Sequence, residues 1–463
     1  MIGLRSVKKS RVMLLLVALS LGVALVLAYL PDSGHGFVKD DFRWIIESRV
    51  ANLHDVGRLS LADNGFYRPV VSLTFAIDER AFGIWARGYA LTNFAILALC
   101  CAALFALGRA LKMEPGIALL AVALWALNPH GIAALVMWIS GRTSGLVTLF
   151  SLLAANAVIR RRRYLAAALC LLALLSKEEA FFLPAVLTAW AGWSYESSRF
   201  CARRAIAAGW PLWLALVLYL VLRGQTNAYL PTNAPPYYRF TFDPLLLGKN
   251  LIEYADRSAS FAVAGLLVLL LIVRHVRRFD DNERAWILRG LVWLVGGFGL
   301  TMFLPARSSL YACLPSVGVA LAGAAMARSL WSRATPIVQS RLLIVAVVTP
   351  LALVPLLRSR NHQARHAADL SKSVLAQIAT EGANVRPGNA IVLEDNAGER
   401  PNLREAFGTL LAPALALQLR RHLAVEYLPS PTNWVEARIH VPGDAPQTEQ
   451  RLRLLRDRLV AAD

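Results

Sequence analysis

Asp40 and Asp41 stand side by side in Gly36-Phe37-Val38-Lys39-Asp40-Asp41-Phe42-Arg43-Trp44, just past the first long apolar run of the chain. Adjacent carboxylates at such a place can do three things. One can take a proton from a hydroxyl, the pair can hold a divalent metal, and one can cap the helix that Phe42-Arg43-Trp44-Ile45-Ile46-Glu47 predicts. Capping uses one carboxylate, and the other still wants a partner. The pair offers oxygen ligands for a divalent metal, but no clear third ligand accompanies it, so no cofactor is assigned.

The elements that position the pair follow from composition. The chain has 463 residues, 57% hydrophobic, with Lys+Arg 49 against Asp+Glu 30 and a formal net charge of +19. Long charge-poor runs predict a polytopic membrane protein with about 11 spans. These lie near 12–30, 90–111, 116–138, 143–159, 163–176, 179–194, 205–222, 258–274, 286–304, 310–327 and 341–357. The first run is long for a signal peptide and ends at Tyr29-Leu30-Pro31-Asp32, a poor cleavage site, so it reads as a retained helix. Much of the basic excess falls in short clusters between runs, which argues for membrane topology and against nucleic acid. Cys100, Cys101, Cys170, Cys201 and Cys313 match no zinc spacing and predict no disulfides.

With a cytosolic N-terminus the basic connections all fall inside, among them Arg160-Arg161-Arg162-Arg163. Three long segments then face outward: 31–89 with the acidic pair, 223–257 rich in Tyr, Pro and Asn, and the tail from about 358 to 463. In the tail, 389–394 and 423–427 read as strands, 403–421 as an amphipathic helix, and 359–382 as a helix leading out of the membrane. The alanine- and arginine-rich composition, without eukaryotic sorting signals, points to a bacterial inner membrane.

Five outward cations break the charge rule: Arg68, Arg142, Lys177, Arg223 and Arg307. Taken singly, each has a plain explanation, such as an ion pair of Lys177 with Glu178 or snorkelling to headgroups. Together with a carboxylate pair at the same membrane level they suit a phosphate-bearing lipid. His130 follows Pro129 in a run that the proline kinks or ends, and a lone histidine there is more often hydrogen-bonded than catalytic. Tyr229, Tyr237, Tyr238 and Tyr254 could stack on a sugar or simply pack the loop.

Five pieces carry a family resemblance: Val38-Lys39-Asp40-Asp41, Phe66 to Phe75, Trp138-Ile139-Ser140-Gly141-Arg142, Leu175-Ser176-Lys177-Glu178, and Tyr311 to Gly318. In this order they resemble the GT-C superfamily of membrane glycosyltransferases, over roughly residues 10–330. The branch most resembled is the protein O-mannosyltransferase-like one, which includes the transmembrane and tetratricopeptide-repeat mannosyltransferases and bacterial relatives. The tail lacks those repeats. Asn128 stands where the family often has a histidine before the proline, and Ala134 where an acidic residue follows.

The resemblance implies an all-α polytopic GT-C-type fold; with the tail as read above, the chain divides into a membrane module 1–357 and a small α/β domain 358–463 expected outside the cytosol. It implies a polyprenyl-phosphate-linked sugar donor, membrane lipids around it, a hydroxyl acceptor on a protein or glycan, and inversion at the anomeric carbon. The implied base is Asp40 or Asp41, with Asp40 favoured. Arg142, Lys177 and Arg307 become candidates for the donor phosphate, and Arg68 orients the first loop or the donor. His130, Glu178, Tyr67 and Tyr311 are candidate substrate contacts. The rivals are a lipid transporter, which would place charges deep within spans and show repeat symmetry, and an inactive scaffold.

Overall fold

The computed structural model describes residues 2–50, 57, 59, 65–193, 199–230, 233–260, 262–265, 268, 279–382, 386–395, 402–420, 422–428, 436–443, 446–456 and 458–461. The chain is mostly helical, with one small sheet near its C-terminal end. Among the described residues, five helices are long and apolar enough to cross a membrane: Val12–Tyr29, Ala86–Ala110, Ile139–Ile159, Ala202–Gly224 and Pro336–Thr380. This is a multi-pass membrane protein.

The helices of the first half are α1 (Ile2–Tyr29), α2 (Asp40–Glu47), α3 (Pro69–Phe82), α4 (Ala86–Ala110), α5 (Pro115–Ala126), α6 (Pro129–Met137) and α7 (Arg142–Ile159). The span expected over 116–138 is a broken one. Its halves α5 and α6 meet at 68°. Pro129, at the first position of α6, has no N–H to continue α5 and disfavours helical backbone at Asn128. Asn128 then caps α6 by accepting from the His130 N–H, while its amide donates to the Arg257 carbonyl.

Several other expected spans are short. Residues 163–176 form α8 (Arg163–Leu174), and 179–194 form a 3₁₀ turn followed by α9 (Leu183–Gly192). Residues 205–222 fall within α10 (Ala202–Gly224). The runs 286–304 and 310–327 correspond to helices Asp281–Phe298 and Ser316–Trp331. Much of 258–274 lies outside the described residues. Short apolar helices are stable here because neighbours cover them. In Asp281–Phe298 and Ser316–Trp331 the backbones touch: a Cβ on Gly290 would lie 2.4 Å from the Gly318 carbonyl oxygen, and one on Gly318 2.2 Å from that of Gly290.

At the far end of the chain, the exit helix begins earlier than expected. It runs Val354–Gly382, so the division at 357/358 falls inside it. The sheet has the order β2-β3-β1-β4-β5, from β1 (Asn389–Glu394), β2 (Ala424–Leu428), β3 (Glu436–His440), β4 (Thr448–Leu455) and β5 (Arg458–Ala461). β1 pairs antiparallel with β3, Ile391 facing Ile439, and parallel with β4. The single helix expected over 403–421 is two, Leu403–Phe407 and Leu411–Leu419, and Arg421 lies outside the described residues. Gly408 separates them at φ 59°, in the left-handed region that halts a helix at little cost in a glycine.

This domain seats the segment that bears the acidic pair. The Lys39 N–H donates to the Ala406 carbonyl at 2.9 Å, and the Phe42 and Phe407 rings stack at 5.7 Å.

Candidate active site

α2 begins abruptly. Lys39, its N-cap, has φ 47° and supplies no side-chain cap, so neither aspartate plays the expected capping role from that position. Both carboxylates instead lie in the first turn, where the helix dipole favours negative charge. The Asp41 side chain turns inward and is completely buried. One oxygen accepts from the Val38 N–H at 2.9 Å; the other accepts from the Ser140 N–H at 2.7 Å and from the Ser140 hydroxyl. Burial pushes its pKa up to about 7, against these hydrogen bonds.

Asp40 points the other way and is exposed. Its carboxylate still sits among enough protein to be partly desolvated, which raises its pKa, while Arg68, Lys39 and Arg43 pull it back down. Tyr237 and Tyr238 lie within its field; burial raises both phenol pKa values and Asp40 adds to the effect.

Arg68 stands between Asp40 and a second carboxylate. Its Nη2 and Nε donate to one Glu178 oxygen at 2.7 and 3.1 Å, and its guanidinium lies 4.3 Å from the Phe66 ring centre. Arg223 approaches the other Glu178 oxygen at 3.5 Å. Two arginines therefore share one carboxylate and keep one net positive charge beside Asp40. Phe66 also packs edge-on against Tyr238 at 5.5 Å, so an aromatic wall joins the two segments expected to face outward.

The other expected site residues are packed or paired within the fold, and Tyr311 lies in the field of Tyr238, Glu179 and Arg68. Arg142 is completely buried. It pairs with Asp78 at 2.6 Å, donates to Asn93 at 3.1 Å, and lies 4.2 Å from the Phe75 ring centre. A guanidinium so fully engaged is a clamp between α3, α4 and α7, and a lipid phosphate could reach it only by breaking those contacts. Lys177 is also buried; it pairs with Glu179, donates to the Ser144 hydroxyl at 2.7 Å, and lies 5.1 Å from the Tyr311 ring centre. The expected local pair of Lys177 with Glu178 is thus made with Glu179, leaving Glu178 to Arg68.

Arg307 pairs with Glu253, which also holds Arg257 at 2.9 Å. Tyr67 is buried against Tyr219 at 6.0 Å, and Tyr311 is buried in a small cluster with Tyr254 and Phe298. His130 is half-buried on α6 within the field of Arg360, Asp256 and Arg257. Each of the five cations expected to face outward therefore has a carboxylate partner.

Ser140 escaped the sequence reading as a participant, whereas Arg223 and Tyr238 were noted there only as members of larger sets. Ser140 lay inside the quoted Trp138-Ile139-Ser140-Gly141-Arg142 piece, and a hydroxyl beside a glycine-permitted turn was the available signal. Gly141 is required there, because a Cβ would lie 2.2 Å from the Ala134 carbonyl oxygen. Among the described residues, no three His, Cys, Asp or Glu side chains converge as a metal site.

No family model and no curated protein matches the chain. Among solved structures it is similar to the crystal structure of ArnT from Cupriavidus metallidurans bound to undecaprenyl phosphate. The identity is 15%, the match covers 88% of this chain and 85% of that one, and the TM-score is 0.48.

Proposed function

We propose that this chain is a GT-C-type inverting glycosyltransferase. It would move a sugar from a polyprenyl-phosphate donor to a hydroxyl acceptor, on a protein or a cell-envelope glycan, at the outer face of a bacterial cytoplasmic membrane. The observation that carries the reading is the division within the acidic pair. Asp41 is buried and bound to Ser140 and Val38, whereas Asp40 is exposed beside Arg68 and the Tyr237–Tyr238 wall. The five family pieces give the reaction class.

In this mechanism the acceptor hydroxyl attacks the anomeric carbon from the face opposite the lipid phosphate. Its proton passes to the Asp40 carboxylate as the new C–O bond forms, which favours a base whose pKa is raised toward working pH. The bond from the anomeric carbon to the phosphate oxygen breaks, and negative charge grows on the departing phosphate. The net positive charge that Arg68 and Arg223 keep around Glu178 is already in place to stabilise it. Asp41 fixes the start of α2 and so the direction of Asp40. Aligning two substrates at the membrane edge supplies much of the remaining rate.

The break between α5 and α6 favours one second reading, a lipid carrier that works through a discontinuous helix. Proteoliposomes loaded with a polyprenyl-phosphate sugar and a glycan or peptide acceptor separate the two. A new glycosidic product, lost in Asp40→Asn, supports the transferase. Lipid movement across the bilayer with no product supports the carrier.

A further inference from the structure

A cavity of about 460 Å³, whose lining does not include Asp40, is walled by the loop 33–37, Phe42 of α2, residues 84–87 at the start of α4, the exit helix Val354–Gly382 and the helix Leu411–Leu419. Two cations line it, Arg87 from α4 and Lys372 from the exit helix, and no carboxylate does. Several other cations of the molecule differ in this. Arg49, Arg68, Arg142, Lys177, Arg223 and Arg307 all have carboxylate partners. Among the described residues, Arg87 and Lys372 make no ion pair and no side-chain hydrogen bond. Asp369, one turn before Lys372, is already held by His35 at 2.9 Å and by Arg365 at 3.6 Å.

The walls are built to a fixed separation. Gly34 has φ +69°, and a Cβ on it would lie 2.7 Å from the Arg87 Cα; one on Gly36 would lie 2.4 Å from the Ala368 carbonyl oxygen. The Ser371 hydroxyl donates to the Phe37 carbonyl. The loop is thus wedged between the two helices that carry the cations. Trp85, the N-cap of α4, provides no side-chain cap, so the first N–H groups of a 25-residue helix add positive potential beside Arg87.

Phe37, Phe42, Leu375 and Leu417 supply apolar wall, and Ser33, His35, Ser371 and Gln418 add neutral polar groups or, for His35, a ring already engaged by Asp369. Ile84 and Trp85 at the mouth are 51% and 55% exposed. They precede a helix long enough to span the membrane, the level at which headgroups meet acyl chains.

We propose that this cavity binds an anionic phospholipid of the surrounding bilayer. Its phosphate sits between Arg87 and Lys372, and its chains lie against Ile84 and Trp85. The bound lipid braces the C-terminal domain against α4, because both contribute walls. The site does not depend on the transferase reading.

The test is native mass spectrometry of the full chain in a neutral detergent, with equimolar palmitoyl-oleoyl phosphatidylglycerol and phosphatidylcholine. The wild-type protein retains phosphatidylglycerol in preference. The double variant Arg87→Gln/Lys372→Gln loses that preference by about thirtyfold, at roughly fivefold per cation near a membrane surface. Both side chains are exposed, so the variant keeps its fold, which its melting temperature checks. Millimolar inorganic phosphate leaves the lipid in place. An unchanged preference in the double variant overturns the proposal, as does equal retention of phosphatidylcholine. Displacement by inorganic phosphate would assign a free-anion site and overturn the lipid assignment.

Discussion

Asp41 accepts both the backbone N–H and the hydroxyl of Ser140, 99 residues further along the chain. That contact ties the start of α2 to the turn between α6 and α7. It places the neighbouring Asp40 by anchoring its helix rather than by touching it. Ser140→Ala removes a donor to a buried carboxylate and should cost about 1–3 kcal/mol. Thermal unfolding in detergent measures the loss, and an unchanged melting temperature would show that the contact does not hold α2.

Asp41 also gives the fold a pH dependence of stated sign. Its folded pKa, about 7, lies above the unfolded value of 3.8. Between those values the folded state holds the proton more firmly, so stability is greatest at the acid end and falls as pH rises toward 7. The span corresponds to at most about 4 kcal/mol. In Asp41→Asn this part of the slope disappears. Melting temperatures at pH 4.5 and 7 in both proteins would show it, and parallel profiles would refute it.

Arg68 tunes Asp40. Burial raises the Asp40 pKa, and Arg68 is the largest of the charges holding it down. In the proposed reaction the acid limb of kcat/KM then lies above that of an unperturbed aspartate. Arg68→Gln moves it further toward neutral pH, because a base with a higher pKa is protonated sooner as pH falls. An acid limb that moves downward in this variant would contradict the assignment. Glu178 keeps Arg223 as a partner, so the variant does not strand a lone carboxylate.

Arg142 tests whether an outward cation is structural. Arg142→Met strands Asp78 without its partner and should cost about 3–5 kcal/mol. Asp78→Leu/Arg142→Met removes both charges and should recover much of that. If Arg142 instead bound donor phosphate, the double variant would fold well and show a raised KM for the donor. The account predicts a KM close to wild type.

How much of this was legible in the sequence depends on distance along the chain. β1 was readable at its observed bounds, Asn389–Glu394, because a short apolar run carries its own signal. Pro129 announced the break after Leu127 for the same local reason. The partners of the outward cations were hidden. Arg68 meets Glu178 110 residues away, and only the packed bundle brings them together. Asp78 opens the polar Asp78-Glu79-Arg80 end of α3, which by pattern alone looks like a solvated helix end and hides its pairing with Arg142. The turn between Leu403–Phe407 and Leu411–Leu419 was signalled by Gly408 but overridden by the amphipathic pattern on either side. Neighbouring identical residues were the hardest case: nothing local distinguishes Asp40 from Asp41, and their roles separate only when Ser140 arrives to bury one of them.

The central claim is that Asp40, and not Asp41, takes the proton. The direct measurement is the initial rate of sugar transfer from a purified polyprenyl-phosphate sugar by wild type, Asp40→Asn and Asp41→Asn, each with its melting temperature. The account predicts that Asp40→Asn loses about 10²–10⁴-fold in rate with its melting temperature intact, since an exposed base is lost without disturbing packing. Asp41→Asn should retain measurable transfer. A full rate in Asp40→Asn would contradict the account, above all if well-folded Asp41→Asn were inactive.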